Sequence, residues 1–336
     1  MDNKNWLLVL ILGILWGSSF LFVEILLNFM NPFIIVYLRV SIASIILIFY
    51  LLLIKIEIQF SNKLIFNLFI MGLLNNVFPF LLITNGQQYI TGGLASILNA
   101  NTSFMTILIA SLFIKNEKLL RSRLIGVTIG LIGVIITIGY ENLSGIVSTE
   151  IGKFFIILSS VSYAFAAIFA KIKLNEVDPS LAATGMLTTS TIILTPIMFF
   201  YYSDEIYNLN FISIKYSIAF AIVCSVLAYL IYFKILSTTG PGNLLLCTII
   251  IPPSAIILNA IFINEMIKIH EFVGMLIIIF GLLILDGKIL KKVEEISLFR
   301  LFQIFNNFKL SSFKSKFFLK KMSFSFEISF SFSKQL

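Results

Sequence analysis

Two ionisable residues sit inside long apolar runs, where charge is expensive. Glu24 lies near the end of WGSSFLFVEILL (16–27), and Arg39 stands a few residues into the next run. A charge at the centre of a lipid-embedded helix costs roughly 2.5–3.5 kcal/mol, so each needs a partner or a task. The short Asn31-Pro32 connection places both residues at similar depth on neighbouring helices and predicts an ion pair beside the mouth of a central cavity. In a functional pair, Glu24 couples a proton to transport, or Arg39 meets an anionic group of a ligand. The alternative is a structural pair, or an arginine that reaches up to the membrane interface.

Uncharged polar residues form a larger set. The first half has Ser18, Ser19, Asn75, Asn76, Gln87, Gln88, Asn99, Asn101, Thr102 and Ser103; the second has Ser162, Tyr163, Tyr229, Asn243 and Thr248. Amide side chains both donate and accept, which suits zwitterionic or amide-like solutes. Facing lipid they would be costly, so they should face the interior of a helix bundle. One such residue alone is interhelical glue; a set converging from several helices marks a cavity, with Trp16 and Tyr163 as its aromatic walls. Pro79, Pro196 and the pair Pro252-Pro253 each remove a backbone hydrogen bond and can kink a helix. Pro252-Pro253 falls near the middle of its run, where a kink flanks the cavity or gates it.

Other chemistries lack their residues. There is no GxxxxGK[ST] for an ATP-driven pump and no HExxH. There is no GxSxG elbow, and the single histidine is His270. Cys224 and Cys247 both fall in apolar runs and offer no disulfide or metal framework. The expectation is a protein that is not an enzyme and needs no cofactor or metal.

The elements that hold these residues follow from composition. Of 336 residues 59% are hydrophobic and 12% charged, with mean hydropathy +1.04. A soluble domain has about 45–50% apolar and about 25% charged residues, so the bilayer is the solvent for most of this chain. Ten apolar spans are read at about 6–27, 33–54, 64–85, 92–114, 121–139, 152–171, 181–202, 213–236, 241–263 and 270–287. Only helices satisfy their own backbone in lipid, so the fold class is all-α, with ten transmembrane helices. With the N-terminus inside, the inner connections before residue 288 carry ten Lys/Arg and the outer ones only Lys153, Lys215 and Lys268. This bias predicts a multi-pass inner-membrane protein with both termini cytoplasmic. Of the net charge of +8, +7 belongs to the tail, which has ten Lys/Arg against three Asp/Glu after residue 287, so no nucleic-acid partner is expected.

The chain also repeats itself. FIKNEKLLRSRLIGVTIGLIG (113–133) matches FINEMIKIHEFVGMLIIIFG (262–281), aligning Glu117 with Glu265, Gly126 with Gly274 and Gly133 with Gly281. Upstream, Trp16 aligns with Tyr163 and Asn31-Pro32 with Asp178-Pro179. Each copy holds five spans, and an odd-spanning unit enters the bilayer the opposite way the second time. The expected organisation is a first repeat at 5–140, a second, inverted repeat at 150–288, and a basic Phe/Ser-rich cytoplasmic tail at 289–336. Inverted repeats are the architecture of many secondary transporters, with the solute site at the repeat interface.

WGSSFLFVEILL, the NPF turn with the following YLR (37–39), GLASILNANTSF (93–104) and the paired FIKNEKL and FINEMI segments resemble the EamA family of the drug/metabolite transporter superfamily. The resemblance covers about residues 5–288. It implies two inverted five-helix repeats and transport of amino acids, related metabolites or drugs. It implies a substrate cavity around Trp16, Ser19, Asn75, Gln88, Asn99, Asn101 and Tyr163, with roles for Tyr229 and Asn243. The reading is a secondary transporter for a small organic metabolite, an amino acid or derivative, with efflux favoured over uptake and proton or ion coupling. The alternatives are a nucleotide-sugar or sugar-phosphate exchanger, which needs several deep cations, and a non-transporting membrane scaffold. Glu24, Arg39, Pro252 and Pro253 are the expected coupling or gating residues.

Overall fold

The computed structural model describes residues 3–55, 61–113, 121–138, 147–239 and 247–285. Asn243, Glu117, residues 240–242 and the tail 289–336 lie outside the described residues. Among the described residues every regular element is helical and none is a strand.

Seven helices are long and apolar enough to cross a membrane. They are α1 (Asn3–Leu26), α2 (Pro32–Ile54), α3 (Asn62–Gly86), α4 (Gly92–Phe113), α6 (Val147–Lys173), α7 (Pro179–Tyr201) and α8, which begins at Phe211. Three apolar helices are shorter: α5 (Arg121–Ile138), α9 (Cys247–Ile263) and α10 (Ile269–Leu285). Large apolar side chains such as Leu53, Leu112, Ile135, Phe199 and Phe200 point outward. In water such a surface would aggregate; in a bilayer it is the ordinary exterior.

Helix starts follow from local chemistry. Asn31 Oδ1 accepts the Phe33 N–H at 2.9 Å, with Pro32 at the first helical position of α2. Asp178 caps α7 in the same way, accepting from Ser180 and Leu181, with Pro179 following. Ser61 caps α3, Thr91 caps α4 and Asn210 caps α8. Each supplies an acceptor to backbone donors that the first helical turn leaves unpaired.

Three spans are irregular inside. α3 contains a π turn at Leu73–Val77 and α8 one at Ile222–Leu227. In α3 the widened turn precedes Pro79, whose ring crowds the carbonyl four residues back and whose nitrogen has no hydrogen to donate. α4 breaks at Ala100-Asn101 into Gly92–Asn99 and Thr102–Phe113 without any proline. There the Thr102 hydroxyl donates to the Asn99 carbonyl at 2.7 Å, competing with the backbone ladder. α9 is helical from Cys247 to Ile263, through both Pro252 and Pro253.

α2 packs on α7, α1 on α9, α4 on α6, and α5 on α10. The main core cluster joins Val23, Ile34, Leu47, Leu187, Leu194 and Phe220, and so draws on both halves of the chain. The closest approaches run through glycines. A Cβ at Gly281 would meet the Gly130 nitrogen at 2.8 Å and the Gly126 oxygen at 2.9 Å; a Cβ at Gly133 would meet the Ile278 nitrogen at 2.8 Å and the Gly274 oxygen at 3.0 Å. These obstacles are backbone atoms, which cannot swing aside. Gly17 of the WGSS segment plays the same part between α1 and α9, 2.9 Å from the Ile251 oxygen by the same measure. Gly281→Leu should therefore separate α5 from α10 and cost about 3 kcal/mol or more. The check is thermal unfolding of the purified protein by fluorescence-detected size exclusion, with the lipid-facing Ile135→Leu as the neutral control.

Candidate functional site

The centre of the bundle holds a polar cluster built from both halves. Arg39 of α2 is buried. Its Nε donates to Ser225 Oγ at 3.1 Å, Nη1 to Ser19 Oγ at 3.4 Å and Nη2 to the Cys224 carbonyl at 3.5 Å. Its guanidinium carbon lies 3.9 Å from the Phe80 ring centroid and 4.5 Å from that of Phe220. Tyr163 and Tyr229 pack against the core cluster that contains Phe80, Phe220 and Cys224. Asn75 Nδ2 donates to the Tyr229 hydroxyl at 3.3 Å, and Asn76 Nδ2 to Ser190 Oγ at 3.1 Å. Tyr229 continues into an aromatic group, with Tyr232 at 6.4 Å and Phe233 at 6.2 Å; Tyr232 in turn meets Trp16 at 5.9 Å.

The π turns put these groups where they meet. Asn75 and Asn76 lie on the α3 turn, Cys224 and Ser225 on the α8 turn. A π turn also alters the pairing of nearby backbone carbonyls, and side chains from other helices reach them here. The Ser162 hydroxyl donates to the Leu74 carbonyl at 2.7 Å, as Arg39 does to that of Cys224. In lipid such substitutes help to keep an irregular helix satisfied.

A second cluster lies at the end of the bundle where α1 terminates. Glu24 Oε2 accepts the Gly92 N–H, and Glu265 accepts the Gly93 N–H through both oxygens at 3.1 Å. Asn259 Nδ2 donates to Glu265 Oε2 at 2.7 Å. Asn264, with φ 55°, turns the chain after α9 so that Glu265 faces back to α4. Two carboxylates thus hold the N-terminus of α4, where unpaired N–H groups and the helix dipole favour negative charge. A side chain at Gly92 would displace both Glu24 and Asn259. The cluster borders a cavity of about 590 Å³ lined by Glu24, Gln87, Gln88, Thr91, Glu265 and Met266, among others.

The expected Glu24–Arg39 ion pair does not form. The two residues point to different neighbours, Glu24 to α4 and Arg39 to α8. Among the described residues the one ion pair is Lys153–Glu150 at 2.8 Å. Ser19 bonds Arg39, Tyr163 and Tyr229 pack into the cluster around it, Asn75 bonds Tyr229, and Trp16 joins through Tyr232. Gln88 is exposed and belongs to the end cavity instead. Asn99 and Asn101 flank the α4 break, each with a buried side-chain oxygen that has no partner among the described residues. Pro252 is buried in α9, next to Ile251 and Ser254, which Gly17 packs against; Pro253 is half-buried. Asn243 lies outside the described residues. Sequence reasoning passed over Ser225, Phe80 and Phe220, which look like ordinary apolar-run residues, and Asn259. Glu265 stood out only as a repeat marker.

Comparison with known proteins agrees with this architecture. The EamA-like transporter family matches residues 4–139 and 150–285. An uncharacterized transporter, YetK of Bacillus subtilis (strain 168), is 26% identical over 275 residues, covering 80% of this chain and 82% of that protein. An uncharacterized transporter of Archaeoglobus fulgidus is 22% identical over 289 residues, covering 85% and 99%. A probable amino-acid metabolite efflux pump of Salmonella typhimurium (strain LT2) is 23% identical over 299 residues, covering 84% and 95%. A crystal structure of another protein shares the fold with a TM-score of 0.62 at 14% identity, covering 88% of this chain and all of that one. Two family matches spanning most of a multi-pass membrane chain leave one conclusion: it is a member of the EamA-like transporter family and not an enzyme.

Proposed function

We propose that the protein is a secondary active transporter that moves an amino acid or a related small metabolite across the inner membrane by alternating access of two inverted five-helix repeats, 5–140 and 150–288. The observation that carries this reading is the central polar cluster, in which Arg39 and Asn75 of one half bond Ser225 and Tyr229 of the other. A lipid-dissolved bundle has no reason to sink amides, hydroxyls and a guanidinium at the contact between its halves unless they serve something polar. The inverted relation is supported by reciprocal contacts: Gly126 meets Gly281, and Gly133 meets Gly274. Since Gly274 and Gly281 are the repeat counterparts of Gly126 and Gly133, this is the self-complementary pattern of a two-fold axis. Export is favoured over uptake by the name of the Salmonella relative.

In this reading Glu24 and Glu265 clamp the end of the bundle by tying α1 and the α9–α10 connection to α4. These are also the carboxylates available for proton or ion coupling there. Asn75 and Tyr229 contact the solute, with Trp16 and Tyr163 as neighbouring walls.

Two measurements test it. Proteoliposomes loaded with a pool of labelled amino acids and metabolites should release one compound class selectively, and an Asn75→Leu, Tyr229→Phe double variant should slow that release at least about tenfold while remaining folded. Equal release by wild type, double variant and empty vesicles would sink the transport reading. For the clamp, Leu94→Cys is placed beneath the Glu24 end and challenged with a membrane-impermeant maleimide. Adding Glu24→Gln and Glu265→Gln weakens two charge-assisted hydrogen bonds, each worth about 1.5–3 kcal/mol, and labelling should quicken at least about tenfold. Unchanged labelling would reduce the two glutamates to a helix cap.

A further inference from the structure

We propose that Arg39 anchors a carboxylate of the transported solute, so that the site takes free acids and zwitterions and rejects the matching carboxamides, which lack the anionic group. This rests on the transport reading. No described carboxylate lies within ion-pair distance of Arg39: Glu24 and Glu265 are committed to α4, and Glu150 to Lys153. Its protein partners are two hydroxyls and one carbonyl, all neutral, and two of the three contacts are long at 3.4 and 3.5 Å. A guanidinium has five N–H donors, so the protein leaves part of this fork unfilled.

The geometry favours a carboxylate. Phe80 and Phe220 lie against the guanidinium. Aromatic rings stack on the faces of this planar group, which leaves its edge for polar partners. A carboxylate is planar and meets that edge through two parallel hydrogen bonds. The Ser19 hydroxyl accepts from Arg39 and keeps its own proton to donate to such a carboxylate, and Tyr163 and Tyr229 pack against the cluster that contains Phe80 and Phe220. The Tyr229 oxygen already accepts from Asn75, so its own proton is free to be donated. A doubly charged phosphate would call for further cations, and among the described residues no other Lys or Arg reaches this cluster. A buried guanidinium without a counter-charge is also a cost to the protein alone, recovered when an anion arrives.

That cost gives a test that does not depend on flux. Purified Arg39→Gln and Arg39→Met should both unfold at higher temperature than wild type in the absence of solute. If both unfold lower, Arg39 is a structural residue and the proposal falls. Wild type should be stabilised by a pool of free amino acids and not by the matching pool of carboxamides, and in proteoliposomes it should carry the acids alone. Arg39→Gln should lose at least about thirtyfold in acid binding, while Arg39→Lys keeps a weakened preference for acids. Acids and amides carried equally well would overturn the anchor and leave transport standing. Selective stabilisation without movement would support the anchor and overturn transport. Neither stabilisation nor movement would overturn both.

Discussion

A hydrocarbon solvent offers nothing to a polar group, and the arrangement of this bundle follows from that deprivation. Most side-chain hydroxyls and amides that face inward find a partner on their own or another helix. Ser190 bonds the Gly72 carbonyl, Thr189 that of Leu68, Ser162 that of Leu74 and Asn76 bonds Ser190. These bonds join α3 to α6 and α7, so the first half of the chain is held to the second by polar contacts at mid-bundle. The apolar surfaces of the helices are as content with lipid as with each other, and what singles out a neighbour is close packing at glycine and these few bonds.

The sequence exposes depth far better than direction. The ten apolar runs, the Asn31-Pro32 and Asp178-Pro179 helix starts and the repeated glycines all have local signatures, and the described helices occur where those signatures fall. Glu24 and Arg39 show the limit. Their distance from a common turn is readable, but α1 and α2 are apolar on every side, so no polar stripe tells which way either residue faces. In a soluble protein the hydrophobic stripe would have supplied that angle. The helix phase instead aims Glu24 at the start of α4 and Arg39 at α8.

Irregular backbone was legible in part. Pro79 signals trouble in α3, and the π turn lies just before it. The matching π turn of α8 has no proline in or just after it, and the break in α4 owes more to Asn99, Asn101 and Thr102 than to any recognised breaker. Two prolines in succession in α9 leave its helix intact. Breaker residues therefore mark permission for a bend, while neighbouring helices decide whether it is used. The central cluster was accordingly half visible: its amides and tyrosines stand out in an apolar run, but Ser225, Phe80 and Phe220 become members only through the path of the backbone.

The π turns carry a consequence for how insertions and deletions would act on this chain. A π turn is an α-helix with one residue too many, and that residue turns everything beyond it by about 100° and advances it by about 1.5 Å. In α3 the part beyond includes Gly86, which touches Gly152 of α6 through its backbone. Loss of a single residue between 73 and 77 would leave a longer-looking, more regular helix whose far half presents the wrong side to α6. The helix would gain ideality and the bundle would lose its register, so the extra residue works as a key that sets how one half of each long helix is dialled against the other.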